Sequence, residues 1–429
     1  MTSPEFSWSE DFAIAMDESD PLRNYRERFF LPKTANGENC VYLCGHSLGL
    51  QPKTAAEYIQ QELKDWAELG VEGHFQAANA WMPYHRLLTN QTAALVGAKP
   101  TEVVVMNSLT VNLHLMMVSF YRPTPARHKI VVERGAFPSD QYAVKSQIAF
   151  HGYDPASSLI ELSSLPRESC LRDEEINLLI ERLGDEIALI LLGGVNYATG
   201  QAFDMANITR AGHAKGCVVG FDLAHAAGNL PLKLHDWGPD FAVWCSYKYL
   251  NGGPGCVAGC FVHELHAHSL DLPRFSGWWG HDERSRFEMG PTFQAMSGAE
   301  GWQLSNPSII TLAVLRASMQ IFHEADMERL RAKSVMLTGY LEFLLNQILL
   351  DQKFSSAFSI ITPQEQVRRG AQLSIRIPKN GRALCERLTR EGIVGDWREP
   401  DTYRVAPVPL YNCYGDVFRF AQRFANAIG

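Results

Sequence analysis

Short apolar runs separated by helical patterns recur between Glu102 and Val262, and no other feature constrains the fold class as tightly. The runs are Glu102–Met106, Lys129–Glu133, Ile187–Leu192, Val218–Phe221, Phe241–Cys245 and Cys256–Val262. Their interiors are nearly continuous Val, Ile, Leu, Phe and Cys instead of alternating with polar residues, as strands buried on both faces require. Helical patterns lie between most of them, beginning at Thr110 and covering Glu174–Leu183 and Met205–Lys215. Alternating strands and helices predict an α/β fold with a mostly parallel sheet covered on both sides. Residues 54–69 add an amphipathic helix that groups Tyr58, Leu63, Trp66 and Leu69 on one face. Near Asn306-Pro307 the pattern changes. A long helix over about 308–347 leads to strand-like Gln372–Ile377, a helix over Gly381–Glu391, strand-like Tyr403–Val408 and a closing helix. This divides the 429 residues into an N-terminal segment (1–53), a large domain (54–307) and a smaller C-terminal α+β domain (308–429).

In such sheets ligands bind beyond the carboxyl ends of the strands. Asp222 ends one apolar run with His225 three residues later, and Ser246-Tyr247-Lys248 ends the next. A strand-end acid and a surface lysine are ordinary in isolation. Here Lys248 stands among Cys245, Tyr247, Tyr249 and Leu250, and Asp222 stands between two apolar segments. The pair suits pyridoxal phosphate, whose aldehyde links to a lysine and whose ring nitrogen pairs with an aspartate. A lysine amine attacks an aldehyde only when neutral, which calls for a desolvated setting. MNSLTVNLH (106–114) joins a strand to a helix, and the free N–H groups of a helix start favour an anion such as a phosphate. FPSD (137–140) reads as an aromatic beside a turn.

The segments GHSLGLQP (45–52), NSLTVNLH, FPSD, FDLAHAAG, SYKYLNGGPG, SNP and RVAPVPLYN (404–412) together carry a family resemblance over most of the chain. The sequence resembles the fold-type I pyridoxal phosphate enzymes of the aminotransferase class V group, and within it the kynureninases. That resemblance implies cleavage of kynurenine to anthranilate and alanine, in tryptophan catabolism and NAD biosynthesis. It gives Lys248 the link to the cofactor, Asp222 the ring nitrogen, and Tyr247 a phosphate contact and a proton to donate. Leu109 and Thr110 would hold the phosphate, Phe137 would stack on the ring, and Pro138, Ser139 and Asp140 would follow it along the cofactor. His225 would lie on the ring face or beside Asp222. Trp278 and Asn306 would complete the cofactor site from a neighbouring subunit, which implies a homodimer with active sites at its interface. Arg404 would bind the substrate α-carboxylate through its planar fork. His74, Ser305 and Asn306 would line a polar pocket around the substrate ring, which would admit 3-hydroxykynurenine as well as kynurenine. Gly193 departs from the pattern, since a serine can stand there, so no side-chain contact is assigned to it.

Other readings are weaker. A cysteine desulfurase needs a nucleophilic thiol on a mobile loop, whereas the cysteines here fall mostly in apolar runs. A transaminase shares the cofactor, and a scaffold that had lost catalysis predicts loss of Lys248 or Asp222. HELHAH (263–268) has neither the HExxH register nor a spaced further ligand, so no metal is expected. The net charge of −8 argues against general binding to nucleic acid or an anionic membrane. No apolar run reaches the roughly 18 residues of a membrane span, and the first residues lack a signal-peptide pattern. Nine cysteines, several within apolar runs, fit a reduced cytoplasmic protein.

Overall fold

A computed structural model describes residues 5–267, 269 and 271–428. Seven strands form the main sheet: β1 (Val103–Met106), β2 (Lys129–Glu133), β3 (Leu159–Leu162), β4 (Ile187–Gly193), β5 (Val218–Asp222), β6 (Phe241–Cys245) and β7 (Ala258–Val262). Their order is β1-β7-β6-β5-β4-β2-β3, parallel throughout except for β7, which runs antiparallel to both neighbours. The continuous apolar runs have a direct physical reason. Val103 and Val105 point into one core while Val104 and Met106 point into the other, and β4 to β7 divide in the same way. Both faces are covered, so neither set of alternate residues is polar.

A second, smaller sheet contains β8 (Ser359–Ile360), β9 (Leu373–Arg376), β10 (Asp396–Arg398) and β11 (Thr402–Val405), all antiparallel. Its core gathers Leu337 to Ile348, Leu373, Tyr403 and Phe420, and also Ala13, Val41 and Leu43 from the start of the chain. Val41–Tyr42 pairs in parallel with Ile393–Val394 as a separate two-stranded sheet, which fastens that early segment against the smaller core.

Two expectations meet a different geometry, and one strand, β3, lies outside the runs read from the sequence. The long helix over 308–347 is two helices, Ile309–Ala325 and Met327–Leu350, broken at Asp326 with φ at 70°. The Asp326 carboxylate accepts the Glu328 and Arg329 N–H groups at 2.9 and 3.2 Å, an N-cap that restarts the helix. Leu312 to Leu330 pack with the main sheet and Leu337 to Ile348 with the smaller one, so the chain changes core within the first turns after the break. The strand β3 has no continuous apolar run because it lies at the sheet edge with three of its four residues not fully buried.

The helix Ala55–Leu69 turns only half of its expected face inward, since Tyr58 and Leu69 pack against the core. Its buried members include Glu62 and Asp65, while Leu63 and Trp66 are exposed. Glu62 accepts hydrogen bonds from Asn79 Nδ2, Trp81 Nε1 and Tyr84 Oη at 3.2, 3.1 and 2.7 Å. Asp65 accepts the Ala78 N–H at 3.0 Å. A fully paired carboxylate can sit inside where an unpaired one cannot, and this frees the apolar side for another surface.

Candidate active site

The carboxyl ends of β2, β4, β5 and β6 open onto one cleft. Glu133, Gly193 and Asp222 end three adjacent strands there, with Gly193 and Asp222 directly opposite in register. Lys248 follows β6 by three residues. The cleft is lined by Leu109, Thr110, Glu133, Phe137, Ser139, Asp140, Gly193, Val195, Tyr197, Asp222, Ala224, His225, Tyr247 and Lys248. Residues spread over more than a hundred positions of sequence meet because parallel strands all deliver their next residues to the same edge.

Lys248 Nζ lies 3.1 Å from His225 Nε2 and 5.7 Å from the centre of the Phe137 ring. With Nε2 accepting from the ammonium, the His225 proton resides on Nδ1, which is buried without a partner. Burial first, then the charges of Lys248 and Arg404, hold this imidazole well below its usual range, so it is neutral. Asp222 Oδ1 accepts the Ala224 N–H at 2.7 Å. Burial pushes both Asp222 and Asp140 upward. Lys248 and the Ala224 amide pull Asp222 back, whereas the charge of Asp222 pushes Asp140 further. Of the two, Asp140 is therefore the more readily protonated and Asp222 the stronger acceptor.

FPSD is the start of a helix, Pro138–Phe150, instead of an isolated turn. Pro138 suits the first helical position, where no N–H is needed. Ser139 Oγ donates to Asp140 Oδ1 at 3.2 Å. Across the cleft the helix Leu109–Phe120 begins, preceded by Asn107 at φ 51°. Its first-turn amides have no carbonyl within the helix to bond. Asn107 Nδ2 donates to Asn112 Oδ1 at 3.0 Å and braces the turn that presents them.

The Tyr247 hydroxyl departs from expectation. A proton donor works best with its pKa near the operating pH, but burial and then the neighbouring Cys245 push this phenol upward. Low-dielectric surroundings disfavour phenolate, so Tyr247 holds its proton more firmly than in water.

Arg404 is 1% exposed and sits behind the Tyr197 wall, its guanidinium carbon 5.8 Å from that ring's centre. His74, Trp278, Ser305 and Asn306 are not among the side chains lining the cleft within one chain. His74 Nδ1 lies 3.0 Å from the Val71 carbonyl, with its ring edge-on to Trp81. Trp278 packs edge-on to Phe287, and Ser305 and Asn306 are exposed.

Glu133 and Tyr197 are cleft residues that sequence reasoning did not single out. Glu133 was visible as a charged end to an apolar run, the signal that drew attention to Asp222. Its carboxyl is 5% exposed, one oxygen has no partner, and burial pushes its pKa up to about 7. In HELHAH, His263 Nδ1 accepts the Leu265 N–H and His266 Nε2 lies 2.6 Å from Asp240, while His268 is outside the described residues. No disulfide links any of the nine cysteines, and none is fully exposed.

The residues present fit pyridoxal phosphate group for group. Lys248 offers an amine to the aldehyde, Asp222 an acceptor to the ring nitrogen, Phe137 an aromatic face, and the Leu109 helix its amides to a phosphate. Comparison with known proteins points to a narrower group. The Aminotransferase class-V family matches residues 41–357, and the Kynureninase C-terminal domain family matches residues 330–424. A kynureninase of Koribacter versatilis is 66% identical over 424 residues, 99% of each chain. One of Myxococcus xanthus is 61% identical over 423 residues, 98% of each chain. A solved cysteine desulfurase of Thermococcus onnurineus covers 100% of this chain and 99% of its own with a TM-score of 0.74, at 15% identity. Another from Escherichia coli covers 95% and 97% with a TM-score of 0.75, at 19% identity. Likeness at that identity speaks for the shared fold alone. Desulfurases thus share the architecture, whereas relatives alike in sequence from end to end are kynureninases, and this chain belongs to the kynureninase family.

Proposed function

We propose that this chain hydrolyses the Cβ–Cγ bond of L-kynurenine to give anthranilate and L-alanine, with pyridoxal phosphate as its cofactor. The observation that carries this is the joining of the Lys248–Asp222 cleft to full-length likeness with kynureninases. When bound, pyridoxal phosphate supplies an aldehyde that links to an amine and a protonated ring that draws electrons from the adjoining carbon.

Lys248 would hold the cofactor through its amine, and the same amine, when free, would move the Cα proton. Its hydrogen bond to neutral His225 gives the amine a fixed direction. Asp222 would keep the proton on the ring nitrogen, and Asp140, whose carboxyl is pushed upward by burial and then by the Asp222 charge, leaves Asp222 the acceptor of the two. Water adds to the γ-carbonyl carbon, which leaves as the carboxylate of anthranilate. Cβ becomes the methyl group of alanine and takes a proton, for which Tyr247 is the donor. The raised Tyr247 pKa keeps that proton in place until carbon is basic enough to accept it. Arg404 holds the α-carboxylate.

Mixing the holoenzyme with L-kynurenine generates anthranilate fluorescence with stoichiometric alanine. Turnover of cysteine or amino-group exchange, without anthranilate, would instead place the chain with the desulfurases or transaminases.

The working form is a homodimer. Trp66 is 64% and Val71 73% exposed, Leu63 and Phe75 are exposed beside them, and Phe30, Ile59, Ile310 and Val314 line an apolar groove nearby. Patches of this kind are rare on monomers. A second subunit would cover them and bring Trp278 and Asn306 to its neighbour's cleft. In Trp66→Glu, light scattering is expected to show monomers with anthranilate formation lost; a fully active monomer would refute the arrangement.

His74, Ser305 and Asn306 are assigned to the substrate ring, and 3-hydroxykynurenine is a second substrate. One lost hydrogen bond of about 1.4 kcal/mol corresponds to roughly 10-fold in rate. His74→Ala is therefore expected to lower kcat/KM for the 3-hydroxy substrate roughly 10-fold relative to kynurenine; an equal loss on both would remove the ring-hydroxyl contact. Among the described residues no helix is long and apolar enough to cross a membrane, and a cytoplasmic location accords with nine cysteines free of disulfides.

A further inference from the structure

Arg404 is deeply buried, yet its donors are not all spent. A guanidinium carries five N–H donors. Nη1 donates to the Tyr197 carbonyl at 2.7 Å, and Nη2 donates to the Asp396 carboxylate. Nε has no partner, an arrangement that a buried charge tolerates only if something else occupies the remaining donors. Tyr197 packs edge-on to Phe137 and lines the cleft, so those donors stand just behind the cleft wall.

Asp396 is the residue that fixes this arrangement. It lies on β10, directly opposite Arg404 on β11. Its Oδ2 also accepts from Arg398 Nη2 at 2.9 Å and from Ser47 Oγ, which belongs to the GHSLGLQP segment. Burial opposes its ionisation, but Arg404, Ser47 and Arg398 together hold the carboxyl below the usual carboxylate range. Cys44, His46 and Asp396 also stand close enough to one another to suggest a cation site. That reading fails on charge, since both Arg398 and Arg404 already direct their cations at the same carboxylate oxygen.

We propose that Asp396 is a positioning residue for recognition of the substrate α-carboxylate, anchoring Arg404 from the opposite strand while leaving Nε and the remaining Nη hydrogens for the ligand. The proposal rests on the reading of Arg404 as carboxylate anchor. A long side chain held in advance loses less conformational freedom when the ligand arrives. The benefit is confined to ligands that carry the carboxylate.

The test compares L-alanine with ethylamine, which is alanine without its carboxylate, titrated into holoenzyme and followed by the cofactor absorbance. The ratio of their Kd values measures carboxylate recognition. Asp396→Asn keeps the size of the side chain and removes its charge. It is expected to shrink the ratio roughly 10- to 100-fold, the span of a charge-assisted hydrogen bond, with ethylamine affinity little changed. An unchanged ratio, or tighter alanine binding, overturns the proposal. Arg404→Gln separates the two layers. If it collapses the ratio while Asp396→Asn does not, the anchor stands and Asp396 is not its positioner; if it leaves the ratio intact, the anchor reading itself fails. Should Asp396→Asn not fold, Ser47→Ala loosens the same carboxylate and is expected to shrink the ratio in the same direction, with an unchanged ratio counting against the proposal.

Discussion

Lys248→Ala is expected to lower kcat for kynurenine by roughly 10⁴-fold or more, because one side chain both holds the cofactor and moves a proton. The visible absorbance band of the lysine-attached cofactor should vanish as well. The geometry makes this sharper than a general statement about lysines. Lys248 Nζ is 3.1 Å from His225 Nε2, and among the described residues no other lysine lines the cleft. His225 cannot substitute as a base of similar strength, because burial and the nearby cations depress its pKa well below the ordinary range. An added small amine should restore part of the turnover if the missing function is proton transfer. A Lys248→Ala protein that kept its band and its rate would refute the whole assignment.

The sequence made the main sheet readable because strands buried on both faces are spelled by unbroken apolar runs, as Ile187–Leu192 and Phe241–Cys245 show. The same logic made Asp222 and Lys248 stand out as charges where the runs stop. What escaped was written in polar residues that satisfy one another. The Ala55–Leu69 helix looked amphipathic with Trp66 inward, but the three donors from Asn79, Trp81 and Tyr84 that draw Glu62 inside lie up to 22 residues away. The break at Asp326 carries neither glycine nor proline, and its signal is a side chain capping two amides. Glu133 was passed over although it ends a run just as Asp222 does. The chemistry of the resemblance named Asp222 and Asp140, and Glu133 became visible only when adjacent strand ends were brought together. The union of Arg404, Asp396 and Ser47 depends on a cross-strand register and a contact 349 residues apart, neither of which local spacing encodes.

Asp222→Asn is the second substitution with a large expected effect, and it isolates charge from shape. The asparagine keeps the acceptor for the Ala224 N–H, a 2.7 Å bond that shapes the turn after β5, so the fold should persist with a thermal midpoint near that of the native protein. What disappears is the negative charge opposite the ring nitrogen. Asp140 replaces it only in part, since burial alone still holds its carboxyl upward. With Asp222 neutralised, the charge that raised Asp140 is gone, and Asp140 titrates closer to the normal range although burial still holds it up. The variant is therefore expected to lose roughly 10²- to 10⁴-fold in kcat, the scale of a missing proton-holding group, and to bind cofactor more weakly. It should regain a little of that loss as rising pH ionises Asp140. The measurement is kcat across pH together with cofactor Kd. Native kcat in Asp222→Asn would show that ring protonation does not depend on this carboxylate, while a loss with no pH dependence would show that the charge of Asp222 does not set the titration of Asp140.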